Sequence, residues 1–118
     1  MVDPYSRWRF PHEDLRVYQN ACQFLRRVRA LSARGHRDLH RQLARAALSI
    51  ALNICEGRSQ RYAGNSGLNF YRIALGSAAE CHGALQALEI TAGTPLDSEI
   101  ALTRRIGAQL TGLLNASA

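Results

Sequence analysis

Arg45-Ala46-Ala47-Leu48-Ser49-Ile50-Ala51-Leu52-Asn53-Ile54-Cys55-Glu56-Gly57 is the stretch on which the fold of this chain turns. Advancing about 100° per residue from Leu39 gathers Leu43, Ala46, Ala47, Ile50 and Ile54 on one face. Arg37, Arg41 and Arg45 take the opposite face, as an amphipathic helix requires. From Leu48 onward that opposite face turns apolar as well, with Leu48, Ala51, Leu52 and Cys55. A helix apolar all round must be buried all round. Two arrangements satisfy this: a helix central to its own domain, or a helix whose second face meets another subunit.

The flanking segments read as helices too. Residues 1–12 form an arm in which Pro4 and Pro11 prevent regular helix, followed by a bundle domain over residues 13–118. A first helix is expected from about Glu13, with Glu13 and Asp14 at its positive end. Its stripe is Leu15, Tyr18, Ala21/Cys22, Leu25, Val28 and Leu31; Ser32-Ala33-Arg34-Gly35-His36 ends it, with Gly35 as the residue just past the end. The second helix runs from about Arg37 to Arg58, and the segment from Tyr62 to Gly67 is turn-like.

A third helix follows from about Leu68 to Ala92, with Leu68, Tyr71, Leu75, Ala78, Cys81/His82, Leu85 and Leu88 as its main stripe. Its reverse face (Asn69, Ile73, Gly76, Glu80, Gly83, Ala87, Ile90) is mostly small and admits a close neighbour. Gly93-Thr94-Pro95 ends it; Asp97 or Ser98 caps a fourth helix with Ile100, Thr103, Ile106, Leu110, Leu113 and Leu114 inward. No strand alternation occurs. The expectation is an all-α, antiparallel up-down four-helix bundle, with Leu48, Leu52, Ile73, Ala87 and Ile90 as the oligomer interface.

Composition narrows the partners. The net charge is +6, and all fifteen basic residues are arginine, the better fork for phosphate. Residues 1–61 hold twelve arginines and five acids, whereas residues 62–118 hold three and four. A basic half of this kind favours anionic partners, nucleic acid before membrane. Arg37, Arg41 and Arg45 make a ridge about 12 Å long. Arg58 and Arg61 extend the far end of the same helix, and Arg7-Trp8-Arg9-Phe10 alternates guanidinium with aromatics, a pattern suited to phosphate contact plus base stacking. The plainer readings are a solvated helix face for the ridge and, for the arm, a latch with Trp8 and Phe10 packed on the bundle. No helix-turn-helix, zinc finger or RNA-recognition signature is present, so base-specific reading is not expected.

Catalytic constellations are wanting. A di-metal carboxylate bundle needs Glu-x-x-His, which does not occur; Glu80 and His82 are two apart and face differently. His12, His36 and His40 sit near helix ends or the arm, and no Ser or Cys nucleophile has a matching His and acid. Cys22, Cys55 and Cys81 lack metal-ligand spacing and read as reduced, buried thiols of a cytoplasmic protein. The polar, Arg-rich N-terminus carries no signal-peptide pattern, and no apolar run is long enough to span a membrane. No enzyme activity, cofactor or metal is therefore expected; the rivals are a scaffold that recruits another protein and a hydrolytic or metal-dependent activity using Glu56, Glu80 and His82.

Three segments carry a resemblance: Leu15-Arg16-Val17-Tyr18-Gln19, the stretch from Arg45 to Gly57, and the stretch from Phe70 to Glu80. They resemble the bacterial four-helix-bundle proteins called 23S ribosomal RNA intervening-sequence proteins, over about Phe10 to Leu114. The resemblance implies a subunit that assembles as a homopentamer. It also implies distant kinship with the nucleic-acid-binding accessory protein of diversity-generating retroelements. Carried over by position, the family's polar residues are Arg45, Ser49, Asn53, Glu56 and Arg61, with Ser77 and Glu80 on the third helix. The chain departs from the pattern at Ala51, where proline is usual, at His82, and in a shorter first loop without Phe-Pro. Read from helical geometry, Gln42, Ser49, Asn53 and Glu56 lie along one edge, either as a seam pairing with Ser77 and Glu80 to fix register or as a binding site.

Overall fold

A computed structural model describes residues 1–32 and 34–116 of the chain; Ala33 and the last two residues of the bundle segment lie outside them. Four helices follow in order, α1 (Arg16–Ala30), α2 (Arg37–Tyr62), α3 (Leu68–Ala92) and α4 (Asp97–Ala116), with no strand among the described residues. Each helix packs on the next and α1 closes on α4, while the diagonal pairs stay apart. Cross-links run antiparallel: His40 Nε2 meets the Val28 carbonyl (3.0 Å), Ser49 meets Ser77 (2.8 Å), and Asn20 donates to Gln109 (2.9 Å). The fold is the expected up-down bundle.

The core faces match the stripes with small rotations. On α2, Leu43, Ala46, Ala47, Ile50 and Ile54 are buried, joined by Ala51 and Gly57. Helical periodicity assigns Ala51 to the outer face; in the structure it lies beside Ala47 at the edge of the inner one and is covered by the chain itself. On α1 the buried residues are Val17, Ala21, Phe24 and Val28, with Leu15, Tyr18, Leu25 and Leu31 only half-buried. The reason is that α1 packs on both α2 and α4, so its core-facing line bisects two flanks. Leu102 joins Ile106 and Leu110 on α4 by the same logic.

The helix ends correct four expectations. α1 starts at Arg16 rather than near Glu13, because the Glu13 carboxylate accepts the Phe10 N–H (2.7 Å) and Leu15 is extended. Residues 11–14 form a turn instead. Gly35 does not close α1, which ends with an extended Leu31; its φ of 80° serves the loop entering α2. α4 starts at Asp97, not after it, since the Leu96 N–H donates to the Glu89 carboxylate (2.8 Å) and the Leu96 carbonyl accepts from Ile100. α2 also runs to Tyr62, one turn past Arg58, and is unbroken where the family pattern would place a proline.

The α2–α3 corner depends on two glycines. A Cβ at Gly57 would meet the Tyr71 ring at 2.7 Å, and one at Gly67 would overlap the Gly57 carbonyl oxygen. Gly67 also has a φ of 68°, which L side chains rarely adopt. This close approach lets Tyr71 bury fully beneath the turn of the chain. Gly57→Ala is therefore expected to destabilise by about 1–3 kcal/mol, while Gly112→Ala, with open space around it, stabilises by about 0.5–1 kcal/mol. Paired urea melts read both; equal effects would contradict the close approach.

Candidate nucleic-acid interface

The polar edge of α2 divides into a structural part and an exposed part. Ser49 Oγ and Ser77 Oγ share a hydrogen bond of 2.8 Å, and Asn53 Nδ2 donates both to the Ser49 carbonyl (2.9 Å) and to Ser49 Oγ (3.1 Å). All three are half-buried between α2 and α3, where a satisfied polar pair fixes helix register. Glu56 and Glu80 do not join them. Both are exposed, and Glu56 accepts only from Gln60 one turn on (3.4 Å). The seam is thus Ser49, Asn53 and Ser77, because the two carboxylates would have had to give up water to enter it.

The outer apolar residues are bare. Leu48, Leu52, Ile73 and Ile90 are 46%, 57%, 43% and 84% exposed, and Ala87 is half-buried. The chain therefore leaves Leu48 and Leu52 of the second face of α2 uncovered, although it covers Ala51 itself.

The five arginines of α2 fall into two groups toward opposite ends of that helix. Arg37, Arg41 and Arg45 are exposed on the first half of α2. Arg41 makes a 4.0 Å contact with Asp38, an exposed pair that neutralises little. Arg58 and Arg61 lie about 20–35 Å further along the helix. Of these, Arg61 holds the α2–α3 turn by donating to the Ser66 carbonyl (2.8 Å), and its stem covers Gly67. Arg58 is half-buried, its Nε buried without a hydrogen-bond partner and its charge close enough to favour ionisation of Tyr71. The helix-end pair is consequently less available to a ligand than the ridge.

The arm reaches the same end as Arg58, since Tyr18 on α1 lies close to Cys55 on α2. Residues 1–10 are exposed. Trp8 and Phe10 meet edge to face at 4.6 Å, Phe10 stacks on His12 at 5.9 Å, and His12 meets Tyr18 at 4.6 Å. This aromatic series walks from the arm onto α1 and borders an open groove of ≈ 760 Å³. The latch reading is met only in part, because Trp8 remains 59% and Phe10 57% exposed. Arg9 flanks the groove from the arm; Gln19, Gln23 and Arg26 flank it from α1. Reasoning from sequence did not assign His12, Tyr18 or Arg26 to a site, although Tyr18, Cys22 and Arg26 recur every four residues on one helix face.

The thiols differ from the expectation of three buried groups: Cys81 is buried, but Cys22 and Cys55 are half-buried. Both lie close to the Tyr18 hydroxyl, and Cys22 above all, with burial, holds that phenol well above its usual range. Burial pushes the Cys55 thiol up and the Cys81 thiol from 9.0 to about 12. On α3, His82 has its Nε2 buried without a partner, beside a cleft of ≈ 290 Å³ shared with Leu75 of the same helix and with Thr103 and Arg104 of α4. Glu80 turns outward to solvent, away from this cleft, and among the described residues no three His, Cys, Asp or Glu side chains cluster about a possible metal position.

Against this geometry, a family model described as 23S rRNA-intervening sequence protein matches residues 13–107, from the turn before α1 to the middle of α4. The arm, including Trp8 and Phe10, lies outside the match. No curated protein matches the chain.

Cys81, Tyr18 and Tyr71 all hold their protons more tightly folded than unfolded. The folded state therefore binds more protons above pH 9, and stability falls as pH rises. For Cys81 the window runs from 9.0 to about 12. Chemical melts at pH 8, 9.5 and 11 are expected to show a steady decline that Cys81→Ala makes shallower. A flat profile, or one unchanged in the variant, would contradict the buried-thiol assignment.

Proposed function

The chain belongs to the 23S rRNA-intervening sequence protein family, and from that premise we propose a basic, non-enzymatic homo-oligomer that binds nucleic acid, RNA first, through phosphate contact. The observation that carries this reading is the row Arg37, Arg41 and Arg45, exposed on the face of α2 away from the core. It lies in the half of the chain that holds twelve of fifteen arginines. Guanidinium forks in such a row engage phosphates without reading bases.

Oligomerisation supports the same reading. Leu48 and Leu52 on α2 and Ile73 on α3 are apolar and exposed on adjacent helices. Copies of this chain covering one another's bands would remove them from water. The resemblance implies five copies, and five copies of +6 would repeat a weak basic patch around one particle, raising avidity without any change in the patch itself. A scaffold role toward another protein uses the same bare surfaces. An enzyme built on Glu56, Glu80 and His82 finds no support in the geometry, since the two carboxylates are exposed and do not converge with the half-buried imidazole. No described helix is long and apolar enough to cross a membrane, and a cytoplasmic location is part of the proposal.

A salt titration of binding to single-stranded RNA and to DNA tests the function, comparing the wild type with Arg37→Ala/Arg41→Ala. Affinity is expected to fall steeply with salt. On a single strand the variant's slope is expected to be lower by about 0.7 for each phosphate it no longer neutralises. No binding to either polymer at low salt would overturn the nucleic-acid reading. An unchanged slope would remove the ridge from it.

A further inference from the structure

An open groove lies between the arm and α1 and takes no part in the ridge. Its ≈ 760 Å³ falls in the range of about 300–1,000 Å³ typical of small-ligand sites. Two large aromatic side chains, Trp8 and Phe10, stand more than half exposed at its edge, held in place by ring contacts with His12 and through it Tyr18. Leaving such rings in water is unfavourable unless something stacks on them.

We propose that this groove seats an unpaired nucleobase of a single-stranded RNA, with Trp8 as the stacking surface and Arg9 and Arg26 on the flanking phosphates. The proposal rests on the nucleic-acid reading given above and names the form of nucleic acid that this end of the subunit takes.

The charge of the groove selects this occupant. Arg9 and Arg26 bring two guanidinium groups to its rim, against one carboxylate, Glu13, already accepting the Phe10 N–H at 2.7 Å. An apolar helix laid in the groove would strip both arginines of water with nothing to pair them. A nucleotide supplies an aromatic face for the rings and an anion for the forks at once. The side-chain amides of Gln19 and Gln23 add donors and acceptors on the α1 wall for the edge of a base. A base inside a duplex has both faces stacked on its neighbours and cannot offer one to Trp8. The site therefore discriminates strandedness, which the α2 ridge, reading phosphate alone, does not.

Trp8 is the chain's one tryptophan, so its fluorescence reports on this groove and nowhere else. The full chain is titrated with a single-stranded RNA twelve-mer and with a duplex RNA of the same length. Trp8 emission is followed together with the anisotropy of a dye on the RNA. Single strand is expected to quench Trp8 saturably, and duplex to raise anisotropy without quenching. Trp8→Ala is expected to weaken single-strand binding about 5- to 150-fold, the range that removal of one base–aromatic stack gives, and to leave duplex binding unchanged. Trp8→Phe retains most of the affinity. Circular dichroism confirms that the variants keep the bundle, to which the exposed arm adds no buried residue. Binding by anisotropy without Trp8 quenching, or an equal weakening for both RNAs in Trp8→Ala, would overturn the groove while sparing the ridge. No anisotropy change with any RNA would overturn the groove and the nucleic-acid reading together.

Discussion

The structure depends on one constraint: α2 is apolar on two sides, and the described helices fully cover only one. Its inner side packs on α1 and α3 and supplies six of the buried apolar residues. Fully burying a leucine or isoleucine contributes about 1.5–3 kcal/mol, so this side fixes the bundle. The same helix then leaves Leu48 and Leu52 bare, and Ile73 on α3 adds to the bare area. The proposed assembly would cover this second face. The polar seam of Ser49, Asn53 and Ser77 sits between the two sides and locks the α2–α3 register through hydrogen bonds that a slipped helix would lose.

The fold was legible because its signal is repetitive. The spacing of three and four along α2 and α3, and the breakers Gly64, Gly67, Gly93 and Pro95, place four helices and their order without reference to tertiary packing. The boundaries of α3 match the reading at both ends. The failures share one cause, which is that a side chain or a second helix intervened. Glu13 turned from helix dipole partner to cap of Phe10, Glu89 drew the start of α4 forward, and two-sided packing rotated the centre of α1 from Tyr18 to Val17 and Phe24. None of these is encoded within a single helical period.

The candidate site was legible only in outline. Arginine spacing located the ridge, but could not show that Arg61 is committed to the Ser66 carbonyl, nor that Arg58 is half-buried. Carboxylates matched by position to the family's polar set lie outside the seam because nothing in the chain offsets their desolvation. The arm groove arises from residues 8–26, where an irregular segment folds back along a helix. No periodicity announces such packing, although Trp8, Phe10 and His12 alternate in sequence as they do in space.

The proposed particle presumes that the second face of α2 is covered by further copies of this chain. The native mass of the purified protein at micromolar concentration, by light scattering or sedimentation, addresses that directly. A particle of about five times the 13.0 kDa chain mass is expected, and Leu52→Glu should shift it toward single chains, because an unpaired buried charge costs several kcal/mol. A 13.0 kDa monomer under the same conditions would contradict the account.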